Sequence, residues 1–399
     1  MSLRKRTLVL LGALCLLPAV GCGPEVPTVT ITAVAPLTGE AAVYGQEIAN
    51  GIQLRHERLM AGEEDIGYNV VLEIVDSESD AAQAAALLDT AFDTSLAAIG
   101  GVTSDEALAM IPVVEEADRV LLSPSASSPK LSGVSEFFYR LYPSAEIEAS
   151  TMATFLRDRL QVTRLVLVVQ DTAFGTSLAD AIEAVWGTQL AGRVVFTASS
   201  DQNAMVDEAL GYEADAIYVA ASGSALAEAM QALRLGGYNG AHDYLATSSS
   251  LAIESVLQEA GPAANNSFMT APLYEPESPE EPVASFVAAY QEKHGSLPSY
   301  YAGLGYDALW VYLEALSEVE AIAVPSDFLK GMRAVRELQG VTGNIQFRET
   351  GDVQKFTRIY QIVDGKAVDF EKHQKERADE IRRKLQETMR EIERANRNQ

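Results

Sequence analysis

Short β-rich runs alternate with helical segments over most of this chain, and that alternation restricts the fold more than any other feature. A first series has candidate strands over residues 29–35, 70–76, 97–100 and 120–123, separated by helical runs such as 47–60 and 81–92. A second series has them over 164–170, 194–198, 216–221, 244–247 and 268–271. Strands joined through helices pair in parallel, and the helices cover both faces of the sheet. Each series is about one doubly wound α/β domain. Between them, residues 138–146 contain Pro143, which interrupts any regular element and suits a crossover between lobes. After a charged loop over 275–282, helical periodicity returns over 283–294, 300–319 and 328–338. These later helices are expected to complete the first lobe.

The N-terminus points to a compartment. Arg4, Lys5 and Arg6 form a positive region, and residues 7–17 an apolar run too short to span a membrane as a mature helix. The run meets Ala19-Val20-Gly21-Cys22, which resembles a bacterial lipobox although Ala19 stands where Leu is commonest. Residues 1–21 are then a signal peptide and Cys22 the lipidated N-terminus of an extracytoplasmic, membrane-anchored protein. An ordinary secretory signal cleaved nearby is the alternative. Gly23 replaces the Asp that often retains a lipoprotein in an inner membrane. With Cys15 in the signal and Cys22 acylated, the two cysteines leave no disulfide, so the core must hold the protein. A 48% hydrophobic chain of 399 residues is long enough for that. The net charge of −26 argues against nucleic acid and against a polybasic membrane surface.

Several motifs occur in order: APLTG over 35–39, Tyr44-Gly45, Asn50-Gly51, DSESD over 76–80 and IGGVTSDEALA from Ile99. LLSPSASSPKL from Leu121, DTAFGTSLADAI from Asp171 and YDAL from Tyr306 follow. Together they resemble the type 1 periplasmic binding proteins, specifically the branched-chain amino acid binding family that feeds ABC importers, over roughly residues 28–370. The resemblance implies two Rossmann-like lobes joined by a three-strand hinge. Lobe 1 would comprise 28–145 and 274–347, and lobe 2 would comprise 146–273 and 348–370. It also implies a small-molecule ligand, an ABC permease as partner and no catalysis.

The residues support a cleft site on their own terms. Open α/β sheets bind ligands beyond the carboxyl ends of their strands, where loops become helix N-termini. The stretch from Thr30 to Gly51 reads as strand, turn and helix, so amides near Tyr44-Gly45 are placed to hold a small anion. Thr103-Ser104 and the serine-rich turn 123–128 also follow short apolar strands. By resemblance, Ser104, Ser125 and Ser127 match first-lobe contacts to the carboxylate and ammonium of an amino acid. Tyr44 and Phe174 match aromatics that cover the ligand from either lobe. Each of these residues also has a plain structural alternative, as a cap, a turn or packing.

Departures from the family limit the choice of ligand. Where it places a second-lobe carboxylate for the ligand ammonium, this chain has Ala246-Thr247-Ser248-Ser249-Ser250, with Ser249 the candidate contact. An aromatic expected at the end of the preceding strand is replaced by Ala220-Ala221-Ser222-Gly223. A buried ammonium without a partner is costly. Either Asp105, Glu106 or Asp171 serves, or the ligand lacks the amine. Ser79 and Thr103 occupy what look like the family's disulfide positions. Asp80 and Asp307 read as helix-capping carboxylates, and Asp76 as structural. His56, His242, His294 and His373 make no metal-site spacing, and no nucleophile elbow or phosphate loop appears, so neither metal nor cofactor is expected. Residues 371–399 read as an appended, charged amphipathic helix with Ile381, Leu385, Met389 and Ile392 in a stripe. Two functions follow: a lipid-anchored solute receptor for an ABC importer, or a regulatory lipoprotein that uses the same fold to bind a partner, for example to activate a peptidoglycan synthase.

Overall fold

A computed structural model describes residues 26–240, 242–319 and 321–397, the last seven as backbone only. The expected signal peptide and Cys22 lie outside the described residues.

The first sheet is built from β1 (Thr28–Ala35), β2 (Asn69–Asp76), β3 (Ala97–Gly100), β4 (Leu121–Ser123) and β5 (Phe138–Arg140), all parallel in the order β2-β1-β3-β4-β5. Its helices are α1 (Ala42–Met60), α2 (Ala81–Ala91) and α3 (Ser104–Ala117). After α4 (Ala145–Thr154) come β6 (Leu165–Gln170), α5 (Ala173–Trp186), β7 (Leu190–Phe196) and α6 (Gln202–Gly211). Then follow β8 (Ala216–Ala220), α7 (Gly223–Leu235), β9 (Tyr244–Thr247), α8 (Glu254–Ala260) and β10 (Phe268–Pro272). Three helices, α9 (Val283–His294), α10 (Tyr300–Ser317) and α11 (Pro325–Ala334), precede a small hairpin of β11 (Leu338–Gly340) and β12 (Gly343–Ile345). The chain ends with β13 (Thr357–Val363), β14 (Lys366–Asp369) and α12 (Phe370–Arg397). The second sheet has the order β14-β13-β10-β9-β8-β6-β7, parallel except for β13 and β14. This is an α/β protein with two sheets, the first parallel and the second mixed, each flanked by helices.

The central strands β3, β6 and β8 are buried at every position, because helices cover both faces. That is why they read as continuous apolar runs rather than alternating ones. The prediction of a strand over 194–198 is displaced: β7 runs Leu190–Phe196 at the sheet edge, half-exposed and without an apolar run to mark its start. The helix predicted over 328–338 starts earlier, at Pro325. Proline suits the first helical position, and the Asp327 carboxylate accepts from the amides of Ala323 and Val324. Residues 138–140, read as irregular, pair with β4.

Helix α10 returns to the first sheet and packs along α1. The approach is close enough that a Cβ on Gly51 would lie 1.9 Å from the Ala302 carbonyl oxygen, and one on Gly305 would lie 2.0 Å from that of Ile48. Asp80 caps α2, accepting from the Gln83 amide at 2.8 Å. Asp307 does not cap its own helix. It is fully buried in the middle of α10 and accepts from the amides of Val341 (2.8 Å) and Thr342 (2.9 Å), fastening the β11–β12 hairpin. Lys355 is buried beside this group and donates to the Thr342 hydroxyl at 2.6 Å, and burial pushes its ammonium down to about 8.

The chain passes between the sheets three times: after β5, after β10 and before β13. Arg140, with no exposed surface, ties two of these passages together. Its Nε donates to Asp352 at 2.6 Å, while Nη1 reaches the carbonyl of Ser128 at 2.9 Å and Nη2 the Ser132 hydroxyl at 2.7 Å. Arg140→Ala leaves a partly buried carboxylate and several acceptors unpaired, so it is expected to cost about 3–5 kcal/mol in urea unfolding. Arg358→Ala, which breaks an exposed pair with Asp369, is expected to cost no more than about 1 kcal/mol.

Candidate ligand-binding cleft

In each sheet the strand order reverses once, between β1 and β3 in the first and between β6 and β8 in the second. Such a reversal opens a crevice at the carboxyl ends of the two strands. The loops at the two reversals face each other. Tyr44, in the first turn of α1, accepts a hydrogen bond from the Gly223 amide at 2.8 Å. Gln170, ending β6, donates to Glu40 at 2.8 Å and accepts from the Ser222 amide at 3.0 Å. The Asp105 carboxylate accepts from the Ala173 amide, at 3.2 Å to either oxygen, and Ser128 and Ser177 share a hydrogen bond of 2.8 Å. The lobes are therefore in contact along the cleft.

The first wall is made rigid before any ligand is considered. Asp76 accepts from the amides of Leu37 and Thr38 and from the Thr38 hydroxyl, and Ser79 accepts from the Ala41 amide and donates to the Thr38 carbonyl. The amides of Ala42, Tyr44 and Gly45 bond to carbonyls within the same turn. The anion site expected on these amides is thus already satisfied internally, and the cleft receives the Tyr44 side chain instead. Its ring meets Tyr301 edge-on, with centroids 5.0 Å apart.

The serine turn is partly committed as well. Ser104, the first residue of α3, accepts from the Ser128 amide at 3.2 Å, and Ser125 donates to the Val102 carbonyl at 2.6 Å. The Ser127 hydroxyl is buried without a hydrogen-bond partner. From the second lobe, Phe174 lies in the first turn of α5, half-buried against the core formed by α4, α5 and β6. Ser249, beyond the end of β9, is buried and joins Tyr142 and, at 3.4 Å, Glu148.

Of the acids considered for an amine, Asp105 caps α5 across the cleft and Asp171 is exposed. Glu106 completes a capping box with Thr103 and accepts from Ser77 at 2.6 Å. A further acid, Glu148 on α4, is buried beside the passage after β5. It is 1% exposed and accepts from the hydroxyls of Tyr142, Ser249 and, at 3.4 Å, Thr270. Burial pushes its carboxyl up to about 7, against the pull of these three hydroxyls. Burial, reinforced by Glu148, holds the Tyr142 phenol well above its ordinary range.

Beside this cluster a cleft of about 780 Å³ opens between α1 and the start of α10 on one side and residues 249–258 on the other, with Met269 and Tyr274 among its lining. That volume suits a small organic ligand. A hollow of similar volume around Arg234, Asp243 and Phe268 draws on the second sheet and its helices and does not lie between the lobes. Among the described residues, no group of three His, Cys, Asp or Glu is placed to hold a metal.

Residues 28–367 match the model of a family described as periplasmic binding protein. The chain is 24% identical over 225 residues to the Leu/Ile/Val-binding protein BraC3 of Rhizobium johnstonii, covering 55% of this chain and 60% of that one. It is 25% identical over 223 residues to the Leu/Ile/Val-binding protein homolog 3 of Brucella melitensis, covering 52% and 61%. The matches thus span about three-fifths of the length of these curated relatives. Among solved structures, the leucine-binding protein LivK of Thermotoga maritima superposes with a TM-score of 0.78 at 26% identity, covering 86% of this chain and 97% of that one. LivJ of Streptococcus pneumoniae in complex with isoleucine gives 0.77 at 19%, covering 85% and 97%.

Tyr142, Glu148 and Tyr301 carry no signal in the sequence. A glutamate in the first turn of a helix reads as a partner of the helix dipole, and the two tyrosines read as packing. Glu148 also sets a dependence on pH. A carboxyl whose folded value of about 7 lies above its ordinary 4.5 binds its proton more tightly in the folded state. Its contribution is full below 4.5 and is lost as pH rises through about 7. Urea unfolding of the ligand-free protein and of Glu148→Gln is therefore expected to show wild type losing up to about 3 kcal/mol relative to the variant across that interval.

Proposed function

This chain belongs to the periplasmic binding protein family, whose members bind rather than catalyse, and from that premise we propose that it is an extracytoplasmic solute receptor. It captures an amino acid or a related small carboxylate between two lobes and delivers it to an ABC importer. The observation that carries this is the meeting of both crevices at one place, with hydroxyls from each side gathered there. Lobe 1 is taken as 28–145 with 274–347, and lobe 2 as 146–273 with 348–370. Tyr44, Ser104, Ser125 and Ser127 face the ligand from the first, and Phe174 and Ser249 from the second. Of the serines, Ser127 is the strongest candidate, since its hydroxyl is otherwise unpaired. The contacts Tyr44–Gly223, Gln170–Glu40, Ser128–Ser177 and Asp105–Ala173 must all break for entry, which a hinge motion about the three passages achieves. The names of the relatives make leucine, isoleucine and valine the first ligands to try.

A second reading, the regulatory lipoprotein that binds a partner protein, draws on α12. There Ile381, Leu385 and Met389 are all more than half exposed on an otherwise charged helix.

Thermal unfolding of the soluble form starting after Cys22, refolded from denaturant to strip carried-over ligand, separates the two. At a hundred times Kd a ligand of the native state adds about 2.7 kcal/mol, so a branched-chain amino acid is expected to raise the Tm by several degrees. No shift with any amino acid, small carboxylate, amide or polyol would instead favour partner binding. The lipid anchor is tested separately. Cys22→Ser in the full chain is expected to move the protein from the membrane fraction to the soluble one, and retention in the membrane would refute the anchor.

A further inference from the structure

We propose that Glu148 is the group that receives the ammonium of the bound ligand, replacing an acid on the loop after β9; this rests on the solute-receptor reading above. Three observations support it. First, Glu148 is buried and, among the described residues, forms no ion pair. A carboxylate in that position is costly unless it is protonated or a cation comes to it. Second, its hydrogen bonds join the passage after β5 to the second lobe at Ser249, which lines the cleft. Tyr142 reaches it from the first passage, Ser249 from the second lobe and Thr270 from β10. The start of its own helix is fixed to the serine turn, where the Ala145 amide donates to the Ser127 carbonyl at 2.8 Å. Third, the hydroxyls of Ser127, Tyr218 and Tyr300 are buried without partners, and the charge of Glu148 acts on both of these tyrosines. Unpaired hydroxyls around a lone acid are the complement of a small ligand that carries several hydrogen-bonding groups and one positive charge.

The titratable groups that face Glu148 are Tyr142 from the passage, Tyr218 from β8, and Tyr300 and Tyr301 from α10. All four are phenols held well above their ordinary range, chiefly by burial, so none competes for its proton near neutrality. With the free carboxyl at about 7, pairing with an ammonium requires it to ionise and release its proton on binding.

The test compares L-leucine with 4-methyl-2-oxopentanoate, the same carbon skeleton without the amine, by titration calorimetry on wild type and Glu148→Gln. Buffers of different ionisation enthalpy at about pH 6.5 report proton release. Wild type is expected to prefer leucine by at least about tenfold, and Glu148→Gln to shrink that preference to about threefold or less and abolish proton release. If wild type binds leucine but takes both compounds equally, or if the variant keeps the full preference, the assignment to Glu148 falls while the receptor reading stands. If wild type binds neither leucine nor any other amino acid, both fall. Should the variant fail to fold, proton release by wild type on leucine but not on the oxo acid supports the assignment, and its absence overturns it.

Discussion

A single guanidinium supports the cleft. Arg140 has no contact with solvent, yet its donors are distributed among Asp352, the carbonyls of Ala126 and Ser128, and the Ser132 hydroxyl. These acceptors belong to the serine turn and to the passage before β13, so one buried cation sets the distance between the first wall of the cleft and the hinge. Arginine suits this role better than lysine, since its planar fork spreads donors in fixed directions while the charge stays delocalised. The turn that carries Ser127 is thus held from behind, while the Ser127 hydroxyl itself is buried without a partner.

The polar groups between the lobes divide into those that are satisfied and those that are not. Asp76, Ser79, Thr103 and Glu106 spend their hydrogen bonds within the first lobe, shaping loops. Tyr44 and Asp105 spend theirs on backbone amides of the opposite lobe, and Gln170 reaches across to the Glu40 carboxylate. Backbone amides are partners that any closing motion brings back to the same place, so these contacts define one closed geometry rather than a range of them. At the centre remain Glu148 and several buried hydroxyls, where the accounting of donors and acceptors is incomplete. In a well-packed protein that imbalance is concentrated at functional positions.

Much of the fold was legible because parallel strands covered on both faces must be apolar throughout. The predicted strand over 97–100 and that over 244–247 coincide with β3 and β9. The edges were less legible. β7, β13 and β14 are half-exposed, and their pairing depends on neighbours distant in the chain rather than on their own pattern. Asp307 shows the same limit. It reads as a helix cap, but lies inside α10 and accepts from amides more than thirty residues away.

The amino-acid sequence by itself determined the β/α alternation, the order of the motifs and the placing of Ser104, Ser125, Ser127, Tyr44 and Ser249 in the turns and helix starts that follow strand ends, since these follow from local periodicity and turn chemistry. Tertiary structure alone decided which of those side chains remain unpaired and which acid stands among them. Glu148 is separated by about a hundred residues from Ser249 and by more from Thr270. Burial shifts a carboxyl only once distant segments have closed around it, so no local pattern in the chain could have marked it.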